Sequence, residues 1–337
     1  MNAETNSALQ LEKISKTYRG RIRALKGIAL KVERGEVFGL LGPNGAGKST
    51  LVKVLMTVIK PTEARGTMLG CRVGDKKSLR KVGYLPEHHR FPPYLTGEQV
   101  LHYYGALSDV PRRERTRRAG ELLDLVGMGK WAKTSVAKYS KGMAQRLGIA
   151  QALMNDPDIV FLDEPTDGVD PVGRRDIREI LKRLRDEGKT VFLNSHLLGE
   201  VEMVCDRISI LLQGNVVREG TIDDLTKGSR RYEIEFEGSE QAELLNEISK
   251  ARLEVVSRDN SQESAGRESD GVQRRLLVLP NRQAGDVQGV IDRLRAAKAV
   301  IHRVELKQDS LEDLFIKAVE EKGKSVGGDT SGGGRQS

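Results

Sequence analysis

The sequence predicts an α/β protein whose larger part is built on a parallel β-sheet. An apolar run at Val37–Leu41 is typical of a buried strand, and it leads into a glycine-rich loop and a helix-forming segment. Two more buried-strand patterns, at 159–162 and 190–193, flank a helix-like segment at 173–187. Strand–helix–strand order is typical of a parallel sheet. The length of 337 residues allows a second domain beside this one.

Other patterns surround this sheet. Alternation of apolar and polar side chains, or a short apolar run beside a turn, predicts further strands at 9–14, 27–32, 208–212 and 215–218, the last two as a hairpin. Residues from about 98 to 155 carry apolar side chains at helical spacing. We therefore expect further strands and a helical insertion at about 88–155, both within a first domain of residues 1–225.

After about residue 225 the pattern changes to that of a small α+β domain, expected at 226–322. The predicted order is βαββαβ, as in ferredoxin-like domains, with segments at 232–236, 241–248, 253–256, 275–279, 283–297 and 301–304. Residues 257–271 are polar and predict a mobile loop. Ser310 is placed to cap a final amphipathic helix. Gly and Ser dominate from residue 323, so 323–337 is expected to be a disordered tail.

Composition and charge exclude several classes of protein. No run approaches the roughly 18 apolar residues of a membrane-spanning helix, and the first residues lack the pattern of a secretory signal, so a cytosolic location is expected. Cys71 and Cys205 stand alone, without the spacing of a zinc site or a disulfide framework. The net charge of +8 comes from basic residues scattered among acids, which favours a solvated surface over a nucleic-acid or membrane face.

The most specific local signal is GPNGAGKST, residues 42–50, which fits the phosphate-binding pattern G-x-x-x-x-G-K-[ST]. Its glycines let the backbone approach a phosphate, and the following helix N-terminus favours an anion. Lys48 would reach the β- and γ-phosphates, and the Ser49 hydroxyl would ligate magnesium. The strand–loop–helix context disfavours a chance glycine-rich turn. The predicted nucleotide-binding residues here are Gly42, Pro43, Asn44, Gly45, Ala46, Gly47, Lys48, Ser49 and Thr50.

The second signal is the predicted strand at 159–162, which ends in Asp163 and Glu164. Two carboxylates at the end of a buried strand are the expected partners of a phosphate loop. Asp163 would hold magnesium, directly or through water, and Glu164 would act on the attacking water as general base or positioning group. The alternative is that both acids only cap the strand. The two signals together predict a nucleotide and Mg²⁺ as ligands.

The third signal is YSKGMAQR, residues 139–146. In combination and in this order, the three motifs resemble those of the ABC ATPases, the nucleotide-binding subunits of ABC transporters, over about residues 9–219. The resemblance implies a P-loop NTPase core of ABC type, with an antiparallel β subdomain and an inserted helical subdomain. It also implies that Tyr18 stacks on adenine, that Glu87 meets magnesium or water, that Asp170 belongs to the loop after the acidic pair, and that His196 is the switch histidine.

The loop at Ser140 and Gly142 offers a second anion site, because a hydroxyl and backbone N–H groups stand at a helix N-terminus. In the family this loop serves the ATP held by another subunit. The resemblance therefore implies a head-to-tail homodimer or heterodimer that ATP closes, with His196 holding the water and Glu164. A surface position at a strand end is the alternative for this histidine.

Three departures from the usual family pattern stand out. Lys141 and Met143 replace a Gly and a Gln of the third motif, Glu87 stands where most members have Gln, and Asp167 replaces a small polar residue. These variants resemble one branch of the family, whose ATPases partner with separately encoded export permeases. The apolar and aromatic stretch at 91–95 is a candidate for receiving the permease, and packing on its own helical domain is the alternative.

The sequence therefore predicts the ATP-binding and ATP-hydrolysing subunit of an ABC membrane exporter, held at the cytoplasmic face of the cell membrane by a separate permease, with no nucleic acid expected as a partner. The main alternative is a soluble ABC ATPase that acts on nucleic acid or ribosomes. Such proteins usually carry a second cassette, zinc modules or a coiled-coil insertion, and the sequence has none of these patterns. A regulatory ATPase that hardly hydrolyses is a third class, disfavoured by the intact Lys48, Asp163, Glu164 and His196.

Overall fold

The computed structural model describes residues 6–227, 230–237, 274–280 and 284–327. Contacts divide the chain into two units, one formed by the residues up to Ile222 together with those from Ala318 on, and the other by Asp223–Lys317. No helix in these described ranges is long and apolar enough to cross a membrane.

The described part of the chain contains both strands and helices, numbered here in chain order. The strands are β1 (Ser7–Thr17), β2 (Arg23–Glu33), β3 (Val37–Leu41), β4 (Glu63–Met68), β5 (Cys71–Arg72), β6 (Val82–Leu85), β7 (Ile159–Asp163), β8 (Thr190–Ser195), β9 (Arg207–Leu212), β10 (Asn215–Thr221), β11 (Arg231–Glu237), β12 (Arg274–Pro280) and β13 (Val300–Lys307). The helices are α1 (Lys48–Leu55), α2 (Gly97–Leu107), α3 (Arg112–Leu125), α4 (Lys141–Ala152), α5 (Pro171–Asp186), α6 (Leu198–Glu202), α7 (Ile222–Lys227), α8 (Ala284–Ala296) and α9 (Leu311–Gly327).

A six-stranded sheet in the order β10–β9–β3–β8–β7–β6 forms the centre of the first unit. Its strands β3, β6, β7, β8 and β9 run parallel, and β10 pairs with β9 as an antiparallel hairpin. Every residue of β3, β7 and β8 is buried, as expected for strands covered on both faces. The predicted α/β class, the parallel sheet and the hairpin are confirmed.

An antiparallel sheet in the order β2–β1–β4–β5 packs its apolar side chains into the same core. Within this core Phe192 lies between two other rings, with centroid distances of 5.6 Å to Phe38 and 4.9 Å to Phe161. Each such buried ring contributes about 1.5–3 kcal/mol through removal of its surface from water. The core therefore fixes β3, β7 and β8, whose ends carry the predicted site.

Helices α2, α3 and α4 confirm the predicted helical insertion. α2 begins with a capping box, in which the Thr96 hydroxyl accepts from the Gln99 N–H and the Gln99 side chain accepts from the Thr96 N–H. α4 begins at Ser140, whose hydroxyl oxygen accepts from the Met143 N–H at 3.2 Å. This cap satisfies a free backbone donor and fixes the start of the predicted second anion loop.

Strands β4, β5 and β6 were not predicted from the sequence. β4 has the sequence EARGTM, which lacks strong alternation, and β6 has four residues, too few to establish a period. Both gain their conformation from pairing, β4 with β1 and β6 with β7.

The second unit contains a three-stranded antiparallel sheet in the order β12–β11–β13, with α8 joining β12 to β13. Strand β11 therefore lies between two parallel strands joined by a helix, which is the split βαβ arrangement that a βαββαβ order contains. The predicted helix at 241–248, strand at 253–256 and loop at 257–271 lie outside the described residues.

The final helix α9 confirms one prediction and corrects another. The Asp313 N–H donates to the Ser310 hydroxyl oxygen at 3.2 Å, so Ser310 is the predicted cap. The helix then continues to Gly327, past residue 323 where the disordered tail was expected to begin. A single glycine such as Gly323 costs a helix only about 1 kcal/mol relative to alanine, so composition alone misplaced the end. Residues 328–337 lie outside the described ranges.

Candidate functional site

Two of the three predicted motifs, the phosphate loop and the acidic pair, meet at one edge of the parallel sheet. Because β3, β6, β7 and β8 are parallel, the residues after their carboxyl ends emerge at the same side. There they line a cavity of about 410 Å³. Three predicted catalytic side chains, each following a different strand, line it: Glu87, Glu164 and His196. Most of the phosphate loop lines it as well: Pro43, Asn44, Gly45, Ala46, Gly47, Lys48, Ser49 and Thr50. Ala24 and Asp167 complete the lining.

The loop between β3 and α1 has a backbone that requires glycine at two points. Gly42 has φ 159° and Gly47 has φ 112°. A Cβ at Gly42 would lie 2.3 Å from the Leu211 carbonyl oxygen, and one at Gly47 would lie 2.6 Å from the Ala24 carbonyl oxygen. At Gly45 a Cβ would meet nothing within 4 Å, so this face of the loop is open. The loop is a backbone-lined concavity of the kind that binds phosphates.

Lys48 is the buried cation of this cavity. Its ammonium donates to the Gly42 carbonyl oxygen at 2.6 Å and lies 3.9 Å from Glu164 Oε1. Burial lowers the pKa of Lys48, and the nearby carboxylates of Glu164, Asp163 and Glu87 oppose that shift. Burial of this ammonium costs free energy because water is removed from the charge. An anionic ligand would offset that cost by electrostatic attraction.

Glu164 and His196 form a hydrogen-bonded pair beside Lys48. His196 Nδ1 lies 2.9 Å from Glu164 Oε2, and the His196 backbone N–H lies 3.3 Å from the same oxygen. The backbone N–H therefore donates to a carboxylate oxygen, which holds this end of the Glu164 side chain beside the imidazole ring. Glu164 has φ 51°, an unfavourable conformation for a residue with a side chain, which is typical of functional positions.

Asp163 lies at the end of β7 with 3% of its surface exposed. It accepts a hydrogen bond from the Asn194 side chain of β8. Burial raises the pKa of Asp163 to about 6, and the hydrogen bond from Asn194 opposes this shift. A buried carboxylate with a raised pKa is suited to a cation that restores its charge.

We predict that Asp163→Asn stabilises the ligand-free protein near neutral pH while removing magnesium-dependent hydrolysis. The folded-state pKa lies above the value of 3.8 for the unfolded chain, so the proton that stabilises the folded protein is fully bound below pH 4. That contribution is lost as the pH rises through about 6. The difference between parent and variant should reach about 3 kcal/mol in the free energy of unfolding above pH 7.

Denaturant unfolding of the two proteins from pH 4 to pH 8 measures this difference. The gap between their curves should open across the pH window between 3.8 and about 6. Parallel curves over that range would contradict the assignment of a raised pKa to this carboxyl.

The predicted metal ligands are Ser49, Asp163 and Glu87. Glu87 and Ser49 both line the cavity, and Glu87 acts electrostatically on Asp163. In the part of the chain that the structure describes, no three His, Cys, Asp or Glu side chains are grouped to hold a metal alone. A magnesium ion here would take its remaining ligands from Ser49, from water and from phosphate oxygens, as this ion usually does.

A second cavity, of about 300 Å³, contains the predicted Ser140 and Gly142. Asp170 also lines it, and its carboxylate accepts from the Gly173 N–H at 2.8 Å as the cap of α5. Within one chain this cavity and the phosphate-loop cavity therefore have different linings.

Tyr18 does not join the predicted residues at the phosphate loop. It lies in the turn after β1 with 37% of its surface exposed, and Lys16 Nζ is 5.0 Å from its ring centroid. It is not among the residues that line the phosphate-loop cavity. Its predicted role towards adenine stays a prediction.

Sequence reasoning missed three contributions to the site. Ala24 of β2 lines the phosphate-loop cavity, and Asn194 hydrogen-bonds Asp163. Lys141 and Asp167, noticed only as separate departures, form an ion pair at 3.0 Å. Asn194 had a signal, a polar residue within the otherwise apolar run TVFLN of a buried strand. The other two depend on three-dimensional proximity, which spacing in the sequence does not reveal.

Comparisons with known proteins agree with this geometry. The family model described as ABC transporter matches residues 25–167. An uncharacterized ABC transporter ATP-binding protein of Synechocystis sp. is 40% identical over 318 residues, covering 92% of this chain and 84% of that protein. The daunorubicin resistance ATP-binding protein of Streptomyces coeruleorubidus is 33% identical over 314 residues, covering 92% and 95%. The bacitracin transport ATP-binding protein of Bacillus licheniformis is 31% identical over 310 residues, covering 91% and 95%.

Solved structures match the larger part of the chain. One described as the structure of an ATP-binding subunit of an ABC transporter is 30% identical with a TM-score of 0.58, over 65% of this chain and 91% of that one. A dimeric ATP-binding cassette in a post-hydrolysis state, bound to ADP and phosphate, is 30% identical with a TM-score of 0.57, over 63% and 98%.

Proposed function

The chain belongs to the ABC transporter ATP-binding proteins, and from this premise we propose that it powers export through a separate transmembrane permease. Membership makes it an ATP-binding, ATP-hydrolysing subunit. ATP hydrolysis in this proposal is supported by one observation: Lys48, Glu164 and His196 line the same cavity as the phosphate loop. Relatives named for linearmycin resistance, daunorubicin resistance and bacitracin transport support export as the direction.

In the proposed hydrolysis, the backbone N–H groups of the loop at 42–50 and the ammonium of Lys48 hold the phosphates. Glu164 is the general base for the attacking water. Its Oε2 is held by His196, whereas Lys48 comes no closer than 3.9 Å to Oε1, so Oε1 is the oxygen that can accept the proton. His196 thereby fixes the orientation of the base.

Ser49, Asp163 and Glu87 are the proposed magnesium ligands. When bound, the ion supplies positive charge that offsets the phosphate oxygens. Because Asp163 must be ionised to ligate it, magnesium binding should release a proton when the pH is below about 6.

The two separate cavities suit a closed two-fold dimer. The chain has a phosphate loop in one cavity and an anion-binding helix N-terminus at Ser140 in the other. In a two-fold dimer with an identical or related chain, the phosphate loop of each chain can face the Ser140 site of the other. We propose that each nucleotide lies between Lys48 of one chain and Ser140 of the other. Tyr18 would contact the adenine, and Asp170, through its cap on α5, would shape the second site.

The stretch at 91–95 is the proposed contact for the permease at the cytoplasmic face of the membrane. Phe91 faces its own domain, with ring centroids 5.2 Å from His89 and 5.7 Å from Tyr104. Tyr94, in contrast, has 79% of its surface exposed. Tyrosine is enriched among the hot-spot residues that contribute most of the binding energy in protein interfaces.

We predict that Tyr94→Asp releases the protein from membranes without loss of nucleotide binding, because a charge replaces an aromatic contact outside the nucleotide cavity. Copurification of the tagged full-length chain with membrane, ribosome and DNA fractions measures this. The parent should fractionate with membranes. The amount of the variant in the membrane fraction should be lower by at least about tenfold, as expected when an interface hot spot is lost.

The matched control is Leu107→Asp at the end of α2, where an apolar side chain is 65% exposed. This variant should stay with the membrane fraction. A parent that fractionates with ribosomes or DNA would overturn the export proposal in favour of the nucleic-acid class, and a Tyr94→Asp variant that behaves like the parent would reject this contact.

A further inference from the structure

An ion pair joins the loop after β7 to the first residue of α4. Lys141 Nζ lies 3.0 Å from Asp167 Oδ2, although the two residues are 26 positions apart. The lysine side chain lies across Gly168, where an added Cβ would come within 2.1 Å of Lys141 Nζ. Gly168 also has φ 62°. The lysine side chain thus occupies space that a side chain at position 168 would need.

The two partners face different cavities. Asp167 lines the phosphate-loop cavity, together with the carboxylates of Glu87 and Glu164. Lys141 lines the second cavity, beside Ser140. The hydrogen bond from Lys141 is the main cause that lowers the pKa of Asp167, with smaller effects from the charges of His196 and Arg174. Asp167 is therefore ionised at neutral pH, at the edge of the cavity that receives phosphates.

An ionised carboxylate at that edge opposes the binding of a polyanion. Like charges at close range repel each other, and the repulsion is stronger in a less polar setting than in water. The ammonium of Lys141 reduces this repulsion because it places a positive charge 3.0 Å from Asp167. Both residues depart from the usual family pattern, and their contact gives one physical reason for the two departures: each compensates the other.

We propose that Lys141 acts on nucleotide bound at Lys48 of its own chain, by neutralising Asp167. This role rests on the proposed function, since it requires nucleotide at the phosphate loop. It differs from the role proposed for the neighbouring Ser140, which serves the nucleotide of the partner chain. Lys141 is a charge-compensating residue and makes no contact with nucleotide in this role.

The test is binding of ADP to the purified full-length chain, at concentrations where size-exclusion chromatography shows a monomer. The partner's site is then absent, so any effect of Lys141 acts within one chain. Lys141→Gln should weaken binding about threefold to tenfold, since one charge–charge repulsion becomes uncompensated. Asp167→Asn should bind as tightly as the parent or more tightly. The double variant Lys141→Gln/Asp167→Asn should return to within about twofold of the parent.

Salt and two further variants separate charge from packing. The deficit of Lys141→Gln should shrink as salt rises from about 0.05 to about 0.5 M, because screening weakens the interaction of half-exposed charges. Lys141→Arg keeps the charge and should bind like the parent. Lys182→Gln breaks a similarly exposed ion pair with Glu179 on α5 and should have no effect, which controls for loss of a surface charge. Thermal unfolding confirms that each variant is folded.

Two outcomes overturn the inference alone: a parent that binds ADP no better than Lys141→Gln, or a double variant as weak as Lys141→Gln. The second would mean that Lys141 contacts the nucleotide or its loop directly, without Asp167. A parent that binds no adenine nucleotide would overturn the proposed function and this inference with it.

Discussion

Glu164→Gln is expected to reduce magnesium-dependent ATP hydrolysis by at least about 10²-fold, the usual effect of removing a general base. The amide has nearly the same shape, and its oxygen can still accept from the His196 backbone N–H, so the geometry around the pair should persist. What it cannot do is take a proton from water. The variant should therefore bind ATP and fail to turn it over.

The same variant tests the dimer. If hydrolysis is what opens the head-to-tail pair, ATP should hold Glu164→Gln as a stable dimer in size-exclusion chromatography, whereas the parent should return to the monomer as ATP is consumed. Phosphate release and elution volume, recorded on the same samples, give both readouts.

A matched control is Glu179→Gln on the outer face of α5, where the carboxylate pairs with Lys182 and is 58% exposed. The chemical change is identical, but this residue lies outside the cavity. It should leave hydrolysis and oligomeric state as in the parent. Turnover of Glu164→Gln within tenfold of the parent would refute the role of this carboxylate as base.

The parts of the site that the sequence predicted are those carried by strand ends. The glycine-rich loop, Asp163, Glu164 and His196 each follow a strongly apolar run, so their meeting at one sheet edge follows once the runs are taken as parallel strands. Local pattern and global fold agree there, which is why the motifs predicted that these residues lie together.

The parts that escaped prediction depend on contacts distant in sequence. The Lys141–Asp167 pair depends on how the start of α4 faces the loop after β7, and no local period encodes that. Strand β6, which carries Glu87 into the cavity, is defined by its pairing with β7 instead of by its own short sequence. The extent of α9 was misjudged because composition predicts a tail where the structure has helix.

Lys48→Met is expected to remove about half or more of the stabilisation of the protein by ATP without destabilising the ligand-free fold. Lys48 is buried, and its lowered pKa shows that the folded protein holds this ammonium at an electrostatic cost. A methionine of similar length removes that cost and loses the hydrogen bond to the Gly42 carbonyl oxygen. Since a hydrogen bond from a charged group contributes about 1.5–3 kcal/mol, the two effects should largely cancel in the unfolding free energy.

With ATP the two proteins should separate. A ligand stabilises the fold in proportion to the logarithm of its concentration over Kd, so ATP at about 100 times Kd adds about 2.7 kcal/mol to the parent. Removing the ammonium that meets the phosphates should cost about 1.5–3 kcal/mol of binding, which leaves about 0.3–1.3 kcal/mol of that gain at the same ATP concentration.

Thermal unfolding with and without magnesium-ATP measures both halves of this prediction. Lys53→Met is the matched control, because Lys53 lies on the same helix α1 with its side chain exposed. It should retain the full increase in Tm on addition of ATP. If Lys48→Met retained the same increase, the phosphates would be held by the loop backbone alone. If instead its ligand-free Tm fell by more than about 5 °C, which corresponds to about 1 kcal/mol or more, Lys48 would be a structural residue whose burial the fold requires. The expected combination is an unchanged ligand-free stability with a reduced response to ATP. It indicates that the buried charge of Lys48 serves ligand binding instead of the fold.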